Sequence, residues 1–229
     1  MIRKFPRLLS QSVRKHVSVA GLSSSSTHDS SSCWHCGTEH NCCRIFCSNC
    51  GKIQPVGTSC CNYFKLLDMP VTFKVDEKSL ENKYKEFQKV THPDKFSMAS
   101  EIEKEASSVS SSTINQAYQA LRCPVDRAKY MLSLHGVNAL EEDSSFEDPA
   151  LMMEMFELRE RIDNIDHSSP REAEGLLNEL SDDMNQLCDE IEESFQAENL
   201  KASTRAAVKL KYISKAMDEL RRVIEKASS

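Results

Sequence analysis

The chain has 229 residues, 39% of them hydrophobic and 28% charged, with a formal net charge of −6. That is enough for one large globular domain or two small ones. The charge is unevenly spread: residues 1–28 hold Arg3, Lys4, Arg7, Arg14 and Lys15 and no acid, residues 29–140 are nearly balanced, and residues 141–229 are strongly acidic. The body of the protein therefore lacks a basic nucleic-acid footprint, and no run of about eighteen apolar residues is present to span a membrane.

Residues 1–28 are Arg/Lys-bearing, Ser-rich and acid-free, the composition of an organellar transit peptide; a bland disordered tail would share it. The expected destination is the mitochondrial matrix. Its reducing environment argues against reading the ten cysteines as a secreted disulfide framework.

Residues 29–58 are predicted to be a metal-binding segment. Two CxxC pairs, Cys33/Cys36 and Cys47/Cys50, let both sulfurs of a tight turn point at one ion, and Gly37 and Gly51 supply the positive φ needed just after the second ligand. One structural zinc ion is the expected product, because four protein ligands leave no position for water or substrate. Cys42, Cys43, Cys60, Cys61, His35 and His40 leave alternatives open, as substitute ligands or oxidative partners.

From Asn62 the sequence becomes helix-forming. Asp76 is a predicted N-cap, and Leu80, Tyr84, Phe87 and Val90 recur as one buried face, with Lys78, Lys83, Lys85 and Lys89 on the other. Pro93 must stop this helix. A second helix is predicted to bury Ile102, Ala106, Val109, Ala117, Tyr118 and Leu121, although Ser107–Thr113 weaken it on propensity. The pair should be antiparallel, with His92, Pro93 and Asp94 at the exposed tip. A third helix follows Pro124 and ends at Gly136.

Residues 146–229 hold three more amphipathic stretches, separated near Ser169 and Asn199. Their seams are Leu151, Met155, Leu158, Ile162 and Ile165; then Ala173, Leu177, Leu180, Met184, Leu187 and Ile191; then Ala206, Leu210, Ile213, Met217, Leu220 and Ile224. Ser169 and Glu172 form a capping box with Pro170 at the first helical position. An all-α fold results, with a three-helix bundle at its C-terminal end. Met152, Phe156 and Tyr212 lie off these seams, with Met153, Glu157 and Glu160 nearby. Large apolar side chains rimmed by acids suit a binding patch; a core wider than a two-position seam would also use them.

NYFKLLDMP (62–70), YKEFQKVTHPDKF (84–96), INQAYQALRCPVDRAKYML (114–132) and LHG (134–136) resemble the J-domain of the HscB family, the J-proteins of iron-sulfur cluster biogenesis. The resemblance implies a co-chaperone without a catalytic site, with a J-domain over residues 62–136. It implies that His92, Pro93 and Asp94 trigger ATP hydrolysis by a DnaK-type seventy-kilodalton heat-shock chaperone, and that Lys83, Lys85 and Lys89 steer docking. For those lysines an ordinary solvated helix face is the plain alternative.

LMMEMFELRE (151–160) is similar to the family's segment for the IscU-type cluster scaffold. That implies scaffold contacts at Met152, Met153, Phe156, Glu157 and Glu160, joined by Tyr212. Met152 and Phe156 stand where bacterial members carry leucines, and Asn164 stands where an acid is expected. The CxxC knuckles resemble the N-terminal extension of certain eukaryotic members. Two other roles compete: a general J-protein acting on unfolded clients, and a zinc-dependent or redox protein with the knuckles as its active site.

Overall fold

The computed structural model describes residues 30–41, 43–56, 61–138, 148–165 and 170–227. The predicted transit peptide, Cys42, Cys60 and the capping residue Ser169 lie outside them.

Local caps set the helix starts. Asn62 caps the single turn α1 (Tyr63–Leu66) by accepting from the Lys65 amide at 2.7 Å. Asp76 accepts from the amides of Lys78 and Ser79 and starts α2 (Glu77–Thr91). Ser100 caps α3 (Glu101–Arg122), and Pro124 opens α4 (Pro124–Leu134), with Gly136 at φ +74° just beyond its end. A short 3-10 turn, Pro93–Phe96, separates α2 from α3.

α2 and α3 run antiparallel: Tyr84 stacks on Tyr118 and donates to Asn115 Oδ1 at 2.8 Å, while Ser111 donates to Gln88 Oε1 at 3.0 Å and Ser107 to the Thr91 carbonyl at 2.7 Å. Near the tip the buried face differs from the hydrophobic periodicity. Val90, Ile102 and Val109 are exposed, whereas Thr91, Ser107 and Ser110 are fully buried. Here small side chains bring their hydroxyls onto backbone carbonyls, a contact that counting apolar residues does not register. Such hydroxyls are tolerated because each has a partner; an unsatisfied one would cost about 1–3 kcal/mol. The serine run stays helical because tertiary packing outweighs its modest propensity deficit.

The C-terminal part is an up-down-up bundle of α5 (Pro149–Asp163), α6 (Pro170–Gln196) and α7 (Leu200–Ala227). Leu151, Ile162, Leu180, Leu187, Ile191, Leu210, Ile213 and Leu220 fill its interior, as their spacing predicts. In the first turns of α6 it is Leu176 that is buried, with Leu177 half-buried beside it.

The helical hairpin and the bundle meet at a polar junction. Glu192 on α6 accepts from the Thr72 hydroxyl and from the amides of Phe73 and Lys74, at 2.7–2.9 Å. Lys74 also pairs with Asp189. The guanidinium of Arg127 on α4 lies 5.1 Å from the centroid of the Phe73 ring. Burial pulls the Arg127 pKa down.

Before α1 lies the cysteine segment, with strands β1 (Ser30–Ser32) and β2 (Glu39–Asn41) paired antiparallel and Ser31 opposite His40. Its Ile45, Ile53 and Val56 share one apolar core with Phe64, Leu67 and Ile114 of the hairpin.

Candidate functional site

Three places carry chemistry-bearing side chains, and each is set up by local backbone geometry. The first is the cysteine knuckle. After each CxxC the chain turns back through a glycine in the left-handed region, Gly37 at φ +70° and Gly51 at +71°. The two turns repeat one pattern: the Gly37 and Gly51 amides donate to the Cys33 and Cys47 carbonyls, both at 2.9 Å. The four sulfurs of Cys33, Cys36, Cys47 and Cys50 thereby gather within 4.8 Å of one another. Cys33 and Cys50 stand 3.6 Å apart, and Cys36 and Cys47 3.7 Å. A tetrahedron of thiolates around a zinc-sized ion, with metal–sulfur bonds of about 2.3 Å, has edges of about 3.8 Å. These four sulfurs are therefore disposed to hold one metal ion.

The surroundings of Cys33 and Cys36 also favour thiolate. Gln54, itself buried, donates to Cys33 Sγ at 3.3 Å, the His35 amide donates to the same sulfur at 3.4 Å, and Asn49 donates to Cys36 Sγ at 3.6 Å. The hydroxyl and amide of Thr38, helped by Asn49, bring the Cys36 thiol down to about 5 against the effect of burial. Cys50 is pushed up to about 12: the Lys52 amide acts to lower it, but burial and the three neighbouring sulfurs outweigh that hydrogen bond. Four sulfurs this close share their negative charge poorly without a cation between them.

Among the alternatives the sequence left open, Cys42 and Cys60 lie outside the described residues, and the others separate. Cys43 and Cys61 are joined in a disulfide that ties the knuckle to the start of α1. This is a single bridge, since the other six described cysteines are free. Among the described residues, neither His35 nor His40 joins the four-sulfur group.

The second place is the tip. His92 ends α2 with its amide bonded to the Gln88 carbonyl at 3.0 Å, and its Nδ1 accepts the Asp94 amide at 3.3 Å. The Asp94 carboxylate lies 3.4 Å from the same nitrogen. The side chains of His92 and Asp94 are 54% and 91% exposed.

A shallow groove of about 480 Å³ runs from this tip up α2, lined by Tyr84, Lys85, Gln88, Lys89, His92, Asp94 and Lys95. The three basic-face lysines differ in setting. Lys83 lies outside the groove and bonds Asp68 at 2.7 Å. Lys85 pairs with Glu81 at 2.6 Å, a hydrogen bond that raises its pKa, and Lys89 has no ion pair among the described residues. Gln88 and Lys95 were not singled out from sequence, because each is an unremarkable polar residue until the tip folds.

The third place lies between α5 and α7. Met152, Phe156 and Tyr212 are 58%, 66% and 44% exposed and line one groove of about 620 Å³. Met153, Glu157 and Glu160 are exposed on α5 but outside its lining. Lys215 and Arg222 on α7, which sequence reasoning passed over, do line it. Their signal was helical spacing from Tyr212, at three and ten residues.

Comparison with known proteins connects these places. A family model described as "HSCB C-terminal oligomerisation domain" matches residues 147–221, the span of α5, α6 and most of α7. The co-chaperone protein HscB of Proteus mirabilis is 35% identical over 169 residues, covering 72% of this chain and 96% of that protein. The iron-sulfur cluster co-chaperone protein HscB homolog of Arabidopsis thaliana is 31% identical over 188 residues, covering 82% of this chain and 72% of that protein. Among solved structures, human co-chaperone protein HscB superimposes with a TM-score of 0.75 at 25% identity, over 87% of this chain and all of that one. Chaperone HscB from Vibrio cholerae gives 0.64 at 28%, over 73% of this chain and 99% of that one. Identity across nearly the whole of a bacterial relative, and a helical fold shared with the human one, place this chain in the HscB family of co-chaperones for iron-sulfur cluster assembly.

Proposed function

We propose that this chain is an adaptor that binds an IscU-type iron-sulfur scaffold at its bundle, delivers it to a DnaK-type seventy-kilodalton heat-shock chaperone and stimulates that chaperone's ATPase, promoting cluster transfer. The observation that carries the proposal is the separation of two exposed surfaces on one frame. The His92-Pro93-Asp94 tip projects from the helical hairpin, and the Met152/Phe156/Tyr212 groove lies on the bundle.

In this scheme His92, Pro93 and Asp94 press on the chaperone and trigger hydrolysis. Lys83, Lys85 and Lys89 steer its approach by charge complementarity. Because tip and cargo groove are distinct surfaces, one chain can hold both partners at once. Met152, Phe156 and Tyr212 supply apolar contact area for the scaffold, while Met153, Glu157 and Glu160 extend it along α5. All of them stay out of the core, so their apolar area is available for binding.

The residue ranges 62–136 for the J-domain and 146–229 for the scaffold-binding bundle belong to the same proposal, as does a transit peptide over 1–28 that directs the protein to the mitochondrial matrix. Zinc is assigned to Cys33, Cys36, Cys47 and Cys50, where it would supply folding energy rather than catalysis. ATP turnover by the chaperone, followed with scaffold and this chain each left out in turn, tests the scheme. Stimulation should require this chain and rise further with scaffold.

A further inference from the structure

We infer that the metal-bound knuckle is a brace for the tip, fixing through α3 the point at which α2 ends and His92 begins.

The observation is two sets of polar contacts, one from the knuckle and one from α2, that meet on a single turn of α3. Gln54 donates to Cys33 Sγ at 3.3 Å, and its side-chain oxygen lies 3.3 Å from the Trp34 amide, which donates to it. The Gln54 backbone carbonyl accepts from Ser110 Oγ at 2.9 Å, and the same Ser110 oxygen accepts from the Val56 amide at 3.4 Å. One turn earlier on α3, Ser107 donates to the Thr91 carbonyl at 2.7 Å. Thr91 is the last residue of α2, so its carbonyl has no partner inside that helix and would otherwise be orphaned. Both serines are fully buried.

α3 is therefore clamped along one turn, by the knuckle through Ser110 and by α2 through Ser107. A surface ion pair between Lys52 and Glu103 at 2.8 Å and the Cys43–Cys61 disulfide hold the knuckle at two further points. A segment this short and rich in Ser, Gly and Cys keeps its shape by ligand bonds. Removing the metal takes away the Cys33 contact that orients Gln54 and loosens the Ser110 side of α3, next to the Ser107 and Ser111 bonds that hold the end of α2. The brace rests on the adaptor scheme only where it touches chaperone stimulation; its structural content stands apart from it.

Amide hydrogen exchange on the full zinc-loaded chain tests it. Cys36→Ser, which removes one ligand, should speed exchange across residues 88–97 about tenfold or more while leaving the amides of α5–α7 unchanged, as expected for a local opening. Ser110→Ala, with zinc still bound at one equivalent, should move the same amides in the same direction by a smaller factor. Both variants should stimulate the chaperone less at limiting concentration yet bind scaffold normally. Unchanged exchange at residues 88–97 in Ser110→Ala overturns the brace, whatever the Cys36→Ser protein does. Loss of chaperone stimulation by intact protein would instead count against the adaptor scheme and leave the exchange result standing.

Discussion

Glu192 on α6 accepts a hydrogen bond from the hydroxyl of Thr72, 120 residues away in sequence, at 2.8 Å. With two further amide donors on the same carboxylate, that contact fixes how the hairpin sits on the bundle. Burial works to raise the Glu192 pKa, but the Lys74 and Phe73 amides and the Thr72 and Gln196 side chains outweigh it and hold the carboxyl below its usual value. A carboxyl depressed on folding contributes stability that is complete above its unfolded pKa of about 4.3 and is lost as pH falls through the lower folded value. Glu192→Gln should therefore lower stability at pH 7 by about 1.5–3 kcal/mol, the range for bonds to a charged group. It should also flatten the acid limb of a stability-against-pH curve, and denaturant titrations between pH 7 and pH 3 check both. An unchanged acid limb would show that the junction does not depend on this charge.

The double variant Met152→Ala with Phe156→Ala should weaken scaffold binding by about tenfold or more, while unfolding shifts by no more than a few tenths of a kcal/mol per exposed site. Leu151→Ala, one residue away but buried, should cost about 2–5 kcal/mol. Calorimetric titration beside thermal unfolding separates the two. A large loss of stability from the exposed pair would return those residues to the core.

Metal binding should reach one equivalent per chain, disappear in Cys47→Ser and survive in Cys43→Ser, because only the former belongs to the four-sulfur group. Affinity should fall as pH falls, since the ligands must lose protons to bind. Titration with zinc, read by thiolate absorption on cobalt substitution, checks stoichiometry and geometry. Retention in Cys47→Ser would require a different ligand set.

Among the lysines, Lys89→Glu should slow chaperone association most, by several-fold at low salt and less at high salt, because its charge has no described ionic partner. Lys83→Glu should do less, since that amine already bonds Asp68. Association rates at two ionic strengths decide it, and equal effects would mean that position relative to the tip does not matter.

Much of this molecule was legible in its residues. Asp76, Pro93, Pro124 and Gly136 mark helix boundaries by backbone chemistry that acts locally, so their positions carried over directly. The seams of α5, α6 and α7 were legible because a bundle core is nearly all apolar. Near the tip the same arithmetic failed: Val90, Ile102 and Val109 face solvent, and the packing is made by Ser107, Ser110 and Thr91 through hydroxyl-to-carbonyl bonds. Such bonds depend on two distant segments meeting, and no spacing rule announces them. The Glu192 junction was hidden for the same reason, whereas Lys215 and Arg222 in the α5–α7 groove carried a helical-spacing signal from Tyr212. The four ligands were legible because CxxC encodes its geometry within four residues, whereas the Cys43–Cys61 bridge spans 18 and needed the fold.

The most direct measurement is single-turnover ATP hydrolysis by the DnaK-type chaperone with scaffold present, comparing this chain with its His92→Gln variant. The His92 side chain is 54% exposed and lies outside the apolar core, so the variant should fold, bind zinc and bind scaffold as the parent does, yet leave hydrolysis at the rate of chaperone with scaffold alone. Full stimulation by His92→Gln would contradict the adaptor role.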